Sequence, residues 1–152
     1  MRIFHIILVG ALLFIQCNKA KKQAEIDENI IKDYITKNNI AATRTADGLY
    51  YVITSPTNNI HAKAGYIASV RYIGKFMDDK IFDKNTNSAS PFSFTIGAGQ
   101  VILGWDEGIA LMNKGEKARL FIPSALAYGS SGQGSIPPNT VLQFEVELVE
   151  LN

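Results

Sequence analysis

The sequence predicts an α+β fold in which a short helix packs on one face of an antiparallel sheet. Segments with the two-residue period of β-strands recur after Gly48, and in the clearest one, residues 142–148, apolar and polar side chains alternate. Between these segments, Trp105–Met112 places apolar side chains on one face of about two helical turns. A sheet with one solvated face and a single helix on the other is typical of the α+β class.

The first 22 residues have the layout of a secretory signal, because Arg2 precedes an apolar run and lysines follow it. The apolar run, residues 3–15, is shorter than the ~20 residues of a membrane-spanning helix. Phe14–Cys17 resembles a bacterial lipoprotein cleavage site, with Gln16 in a position that usually holds a small residue. We expect residues 1–16 to be a signal peptide and Cys17 to be the lipidated first residue. An uncleaved signal that acts as a single anchor is the alternative.

The next segment, residues 23–40, carries apolar side chains at helical spacing, with acids early and Lys37 late. The apolar positions are Ile26, Ile30, Ile31, Tyr34 and Ile35. This pattern predicts a packing helix, or a spacer that lifts the domain off a membrane. Residues 41–47 read as a polar connector, so residues 17–47 form an N-terminal linker and helix ahead of a domain over 48–152.

Strand signals follow in the order 48–55, 66–76, 93–96, 117–122 and 142–148. The first is rich in β-branched and aromatic residues, and Asp78-Asp79 marks a turn after the second. In the fourth, Lys117, Arg119 and Phe121 alternate with three apolar residues, which predicts one buried face.

Composition excludes several classes of function. The chain of 152 residues has 15 Lys+Arg against 14 Asp+Glu, so it lacks the basic surface of a nucleic-acid binder. One cysteine permits no internal disulfide, and only two histidines occur, His5 and His61. A metal site of His and Cys, a Cys-His pair and a Ser-His-Asp triad are therefore disfavoured, and we expect no cofactor and no metal.

Short motifs occur in a fixed order within residues 48–152. They are Arg71–Gly74, Phe82-Asp83, Pro91–Phe94, Ile96-Gly97, Val101–Gly108, Met112, Gly115-Glu116, Ala127–Gly129, Ile136–Asn139 and Phe144–Leu148. Together they resemble the FK506-binding-protein (FKBP) family of peptidyl-prolyl cis–trans isomerases. The resemblance implies an antiparallel sheet of five to six strands wrapped around the short helix, here preceded by the N-terminal helix, with a proline pocket between sheet and helix.

The resemblance also implies roles for individual residues. The catalytic residues would be Asp83, Trp105 as the floor under the proline ring, and Tyr128 as a donor to the substrate carbonyl. Substrate-binding residues would be Tyr72, Phe82, Phe92, Val101, Ile102, Ile136 and Phe144. Residues 129–135 would form a flap over the pocket, with Ile136 as its apolar tip.

Prolyl isomerisation suits a chain with many aromatic residues and no acid–base pair. An X-Pro bond crosses a barrier of ~18–20 kcal/mol without any bond being broken. The twisted amide has less charge separation than the planar one, so a dry apolar cup favours it. We therefore predict an isomerase that binds proline-containing segments of client proteins, and FK506-like macrolides.

The expected setting is the bacterial cell envelope, where a monomer would act on exported proteins. Its lipid anchor on Cys17 would hold it at a membrane, on the periplasmic or outer-membrane face. Two alternatives stay open: a non-catalytic proline-peptide-binding module or folding chaperone on the membrane surface, and a structural lipoprotein with a vestigial cup. Only seven residues lie between Tyr128 and Ile136, which leaves no inserted chaperone domain and favours the enzyme.

Overall fold

The structure is a computed structural model that describes the backbone of residues 3–152 and the side chains of residues 18–152. The first two residues, and the side chains up to Cys17, are not described. The predicted signal peptide and the predicted lipidation of Cys17 therefore lie outside the described residues.

The described backbone forms two helices, one 3-10 turn and seven strands. In chain order these are α1 Ile3–Lys37, β1 Thr43–Arg44, β2 Tyr50–Ser55, β3 Ile67–Phe76, β4 Ile81–Asn85, β5 Phe92–Thr95, α2 Leu103–Ala110, β6 Lys117–Ile122, the 3-10 turn Ser124–Leu126 and β7 Leu142–Leu151. The α+β prediction is confirmed, with an N-terminal helix and an antiparallel sheet beside one short helix.

The sheet has seven strands rather than the five or six expected. Its order is β1-β2-β6-β7-β3-β4, every pairing is antiparallel, and β5 pairs with β3 on the same edge as β4. The two strands that the sequence did not reveal are β1, which lies in the predicted polar connector, and β4. Both are short and mostly exposed, so neither carries an alternating apolar pattern.

The main core lies between α2 and one face of the sheet. Fully buried side chains from both layers meet there, including Leu120 of β6 and Ile109 of α2. The helix approaches closely because two of its residues are glycines. A Cβ on Gly104 would lie 2.4 Å from Ile122 Cγ2, and one on Gly108 would lie 2.7 Å from Leu120 Cδ1.

The sequence predicts that the other face of the sheet is solvated. In the structure, α1 covers one end of that face. Ile31 is fully buried there in a second cluster with Phe121 of β6 and Tyr50 of β2. The buried side of the helix is offset from the predicted stripe, since Ile26 and Ile30 are 43% and 39% exposed. The prediction of a packing helix therefore describes α1 better than the prediction of a spacer.

Candidate active site between the sheet and the second helix

A cavity of about 260 Å³, lined mostly by aromatic and aliphatic side chains, opens between the sheet and the start of α2. We call it the aromatic cup. Its lining residues are Tyr72, Phe82, Asp83, Phe92, Gln100, Val101, Ile102, Trp105, Tyr128 and Phe144. The structure thus brings together nine of the ten predicted catalytic and substrate-binding residues, and Ile136 is the exception.

A larger groove of about 570 Å³ lies on the opposite face of the sheet. Its wall carries charged side chains that pair with one another, such as Arg71 with Glu147 at 2.6 Å. A proline ring needs apolar, aromatic walls and not a surface of paired charges. The aromatic cup, although smaller, is therefore the candidate site.

Neighbouring strands supply the walls of the cup. In the register of the sheet, Gly74 of β3 pairs with Asp83 of β4 on one side and with Phe144 of β7 on the other. A Cβ on Gly74 would lie 2.7 Å from Phe82 Cζ and 2.8 Å from Phe144 Cε1. The absent side chain lets these two rings meet, with centroids 5.6 Å apart in an edge-to-face arrangement.

Trp105 lies at the base of the cup, in the first turn of α2. Its ring is 4% exposed and contacts the surrounding aromatic rings edge-on, with centroid distances of 4.9 Å to Tyr72, 5.3 Å to Phe144 and 5.9 Å to Phe92. Edge-to-face pairs of this kind contribute about 0.5–1.5 kcal/mol each beyond burial. Aromatic rings therefore hold Trp105 in place at the base of the cup.

Asp83 lies on the rim and orients a tyrosine. The Tyr72 hydroxyl donates to Asp83 Oδ2 at 2.7 Å, and the Lys84 amide donates to Asp83 Oδ1 at 2.8 Å. Burial, followed by the hydrogen bond to Asp83, raises the pKa of Tyr72 well above its usual range. This phenol is therefore a neutral donor whose proton is committed to the carboxylate.

Tyr128 is the second phenol of the cup. Burial raises its pKa, and the negative charge of Asp83 adds to the shift. In contrast to Tyr72, its hydroxyl has no hydrogen-bond partner among the side chains and backbone of residues 18–152. A neutral, uncommitted O–H that faces an apolar cavity can donate to a substrate carbonyl.

The loop after Tyr128 differs from the predicted flap. Ile136 is 7% exposed and packs in the main core, and it does not line the cup. The loop folds back on itself, since the Gln133 and Ile136 amides donate to each other's carbonyl oxygens at 2.9 and 2.8 Å. Gly132, with φ of 67°, permits the close approach, because a Cβ there would lie 2.4 Å from the Ile136 carbonyl oxygen.

Gln100 is a lining residue that the sequence reading missed. Its side-chain Oε1 accepts a hydrogen bond from the Thr95 amide at 2.8 Å. The adjoining turn is fixed by Asp106, whose carboxyl oxygens accept from the Gly97 and Gly99 amides at 2.8 and 3.2 Å. The only signal for Gln100 in the sequence was its position directly before the Val101-Ile102 motif.

Known proteins resemble this chain in sequence and in structure. Residues 58–149 match the family described as FKBP-type peptidyl-prolyl cis-trans isomerase. FK506-binding protein 2 from Candida glabrata is 47% identical over 118 residues, covering 74% of this chain and 87% of that protein. A peptidyl-prolyl cis-trans isomerase from Pseudomonas syringae has a TM-score of 0.73 and 32% identity, covering 87% of this chain and 95% of its own. FkpA from Escherichia coli has a TM-score of 0.73 and 31% identity, covering 98% of this chain and 71% of its own.

Proposed function

The chain belongs to the FKBP-type peptidyl-prolyl cis-trans isomerase family, and we propose that its aromatic cup accelerates the isomerisation of X-Pro bonds in exported client proteins. The observation that carries the proposal is the cup itself: an apolar cavity with Trp105 at its base and an uncommitted Tyr128 hydroxyl at its wall. Proline-containing peptides and FK506 are ligands of this family in general, so both are the ligands we assign to the cup.

The size of the cup matches one ring of a longer ligand. Pockets that enclose a whole drug-sized ligand have volumes of ~300–1,000 Å³, and this cavity of about 260 Å³ is smaller. We infer that a proline ring enters the cup while the flanking peptide lies across its open mouth. The same cup would take one ring of a macrolide.

The reaction needs no bond to break, so each residue acts by its shape or its dipole. The apolar walls withhold solvent from the planar amide, whose charge separation water stabilises, and this lowers the barrier to the twisted state. Trp105 supports the ring, and Tyr128 donates to a carbonyl of the bound substrate. Asp83 holds Tyr72 in place through the 2.7 Å hydrogen bond and so fixes one wall.

Trp105 provides a direct test, because it is the only tryptophan of the chain. Its fluorescence should change when a proline peptide or FK506 enters the cup. The chain should also speed a refolding reaction that is limited by X-Pro isomerisation, and FK506 should remove that acceleration at the concentration that saturates the fluorescence change. A chain that binds the peptide at Trp105 without accelerating refolding would be a binding module or chaperone instead.

We also propose that the enzyme acts in the bacterial envelope as a lipid-anchored monomer. Relatives come from fungi as well as bacteria, so this proposal relies on residues 1–22, with their apolar run ending at Cys17. Helix α1 packs against the domain from Asp27 onward. Asp27 lies about ten residues after Cys17, a distance of about 15 Å along a helix. An anchor there would hold the domain close to the membrane.

Within the residues whose side chains are described, neither helix has the length and apolar character needed to cross a membrane. Mass spectrometry of the native N-terminus tests the anchor, and a lipid-modified Cys17 as the first residue is the expected result. A Cys17→Ser protein that keeps residues 1–16 and still sediments with membranes would favour the uncleaved anchor.

A further inference from the structure

We propose that Asp27, on the N-terminal helix α1, is a positioning residue for Tyr128 and acts through Ser124. This inference rests on the proposed isomerase function, in which Tyr128 donates to the substrate. The side chain of Asp27 is fully buried although it belongs to a helix outside the cup. Its Oδ2 accepts hydrogen bonds from the Ser124 amide at 2.8 Å and from the Ser124 hydroxyl at 2.6 Å.

Ser124 continues the connection to Tyr128 through its own carbonyl. That oxygen accepts from the Ala127 amide at 3.0 Å and from the Gly129 amide at 2.8 Å, so it fixes the backbone on both sides of Tyr128. Gly129 is in the left-handed region, with φ of 57°, where the chain turns away from the cup. The carboxyl group of Asp27 therefore fixes Ser124, the residue whose carbonyl oxygen holds the backbone on both sides of Tyr128.

Attachment of α1 to the domain does not require this carboxyl group. Apolar packing of Ile31 and the hydrogen bond from the Tyr34 hydroxyl to Asp79 at 2.7 Å hold the helix further along. Glu28 adds a bond from the Tyr50 hydroxyl at 3.2 Å. A buried carboxyl group is costly unless hydrogen bonds satisfy it, and an apolar residue would dock the helix at lower cost. A carboxyl group at this place is better explained by the two Ser124 donors that it orders.

A double-mutant cycle in the full chain separates positioning from folding. Asp27→Ala should lower kcat/KM several-fold relative to the wild type, and by no more than Tyr128→Phe does, with the proteins compared at equal folded fraction. In a Tyr128→Phe background the same substitution should cost less than twofold, because the hydroxyl that Asp27 positions is already absent. A loss of stability alone would leave activity unchanged in both backgrounds once the folded fractions are equal, and an equal loss in both backgrounds would mean that Asp27 acts independently of the Tyr128 hydroxyl. Either result would overturn the proposal.

Glu28→Gln is the matched control, since it removes an acid from the neighbouring position of α1 and leaves Ser124 untouched. It should leave kcat/KM within twofold of the wild type. If Asp27→Ala fails to fold, Ser124→Ala takes its place, because it removes only the hydroxyl donor to Asp27. Its loss of kcat/KM should be smaller, and should again be larger in the wild type than in the Tyr128→Phe background. Equal losses in the two backgrounds for that variant would likewise overturn the inference.

A readout without turnover keeps this inference distinct from the proposed function. The ring resonances of Tyr128, assigned by comparison with Tyr128→Phe, should shift in Asp27→Asn and not in Glu28→Gln. A wild-type chain that lacks isomerase activity would refute the proposed function, and the resonances would still decide on the positioning. Unchanged Tyr128 resonances in a folded Asp27→Asn protein would refute the positioning, whatever the activity.

Discussion

Gly74→Ala tests the construction of the aromatic cup with the smallest possible change. The added methyl group would lie 2.7 Å from Phe82 Cζ and 2.8 Å from Phe144 Cε1, two atoms of the cup walls. Ordinary contacts between carbon atoms are about 3.5–4.0 Å, so the rings must move by about 0.7–1.3 Å. Gly74 has no positive φ, so the substitution acts through this contact and not through the backbone.

The magnitude follows from two opposing effects. Overpacking of a filled interior costs about 1–3 kcal/mol, whereas replacing glycine stabilises by about 0.4–1 kcal/mol through the unfolded chain. We expect a net loss of about 1–2 kcal/mol, which lowers Tm by roughly 2–8 °C for a chain of this length. Because two walls of the cup move by about 1 Å, affinity for a proline peptide or FK506 should fall at least tenfold, equivalent to about 1.4 kcal/mol.

The assay is a fluorescence titration of Trp105, with thermal unfolding measured on the same samples. Gly108→Ala is the control, because its methyl group would lie 2.7 Å from Leu120 Cδ1, in the core and away from the cup. The control should lose stability to a similar extent and keep its affinity within twofold. If Gly74→Ala keeps wild-type affinity, or if both variants lose affinity in parallel, the two rings do not form the walls as described.

Four further outcomes are expected. Tyr128→Phe should keep the fold and lower kcat several-fold, because one neutral hydrogen bond is worth about 1 kcal/mol; complete loss of turnover in the folded variant would contradict a mechanism driven by the apolar cup. Trp105→Ala should weaken ligand binding more than Ile109→Ala does at matched stability, and an equal or larger loss in Ile109→Ala would remove Trp105 from the floor. Turnover should be flat from about pH 6 to about pH 8 and insensitive to EDTA, and a bell-shaped profile would reveal a titrating group. Burial raises the pKa of Tyr72 and Tyr128 in the folded chain. The stability that these phenols contribute is therefore complete below pH ~10 and falls as the pH rises beyond that value. Unfolding titrations that show no loss of stability at alkaline pH would contradict the raised pKa values.

The strands that could be read from the sequence are those with one buried and one polar face. β6 was predicted with its observed bounds, because Ala118, Leu120 and Ile122 alternate with Lys117, Arg119 and Phe121; the first three are buried in the structure. β4 gave no such signal, because it lies at an edge and Ile81 is 53% exposed. Helix α1 covers Phe121 through Ile31, about 90 residues earlier in the chain. A pattern of neighbouring residues cannot predict a contact between such distant positions.

The candidate site was predictable because the ordered motifs resemble those of the FKBP family, and that resemblance assigned the aromatic rings and Asp83 to the cup. The same resemblance assigned Ile136 to the tip of a flap over the cup. Its burial depends on the backbone of the loop, where Gly132 adopts a positive φ and closes the turn. Asp27 was only one of the acids early in the predicted helix, and its burial and its contact with Ser124 are visible only in the structure.

Equilibrium exchange of an X-Pro peptide, followed by NMR, tests most directly whether the cup is a catalyst. Uncatalysed interconversion takes about 10–100 s at 25 °C, so exchange between cis and trans resonances is negligible on the NMR timescale. If the cup is a catalyst, a small molar fraction of the chain will produce exchange cross-peaks, FK506 will abolish them, and Tyr128→Phe will reduce the exchange rate several-fold. A folded chain that binds the peptide at Trp105 and leaves the exchange rate unchanged would contradict the account.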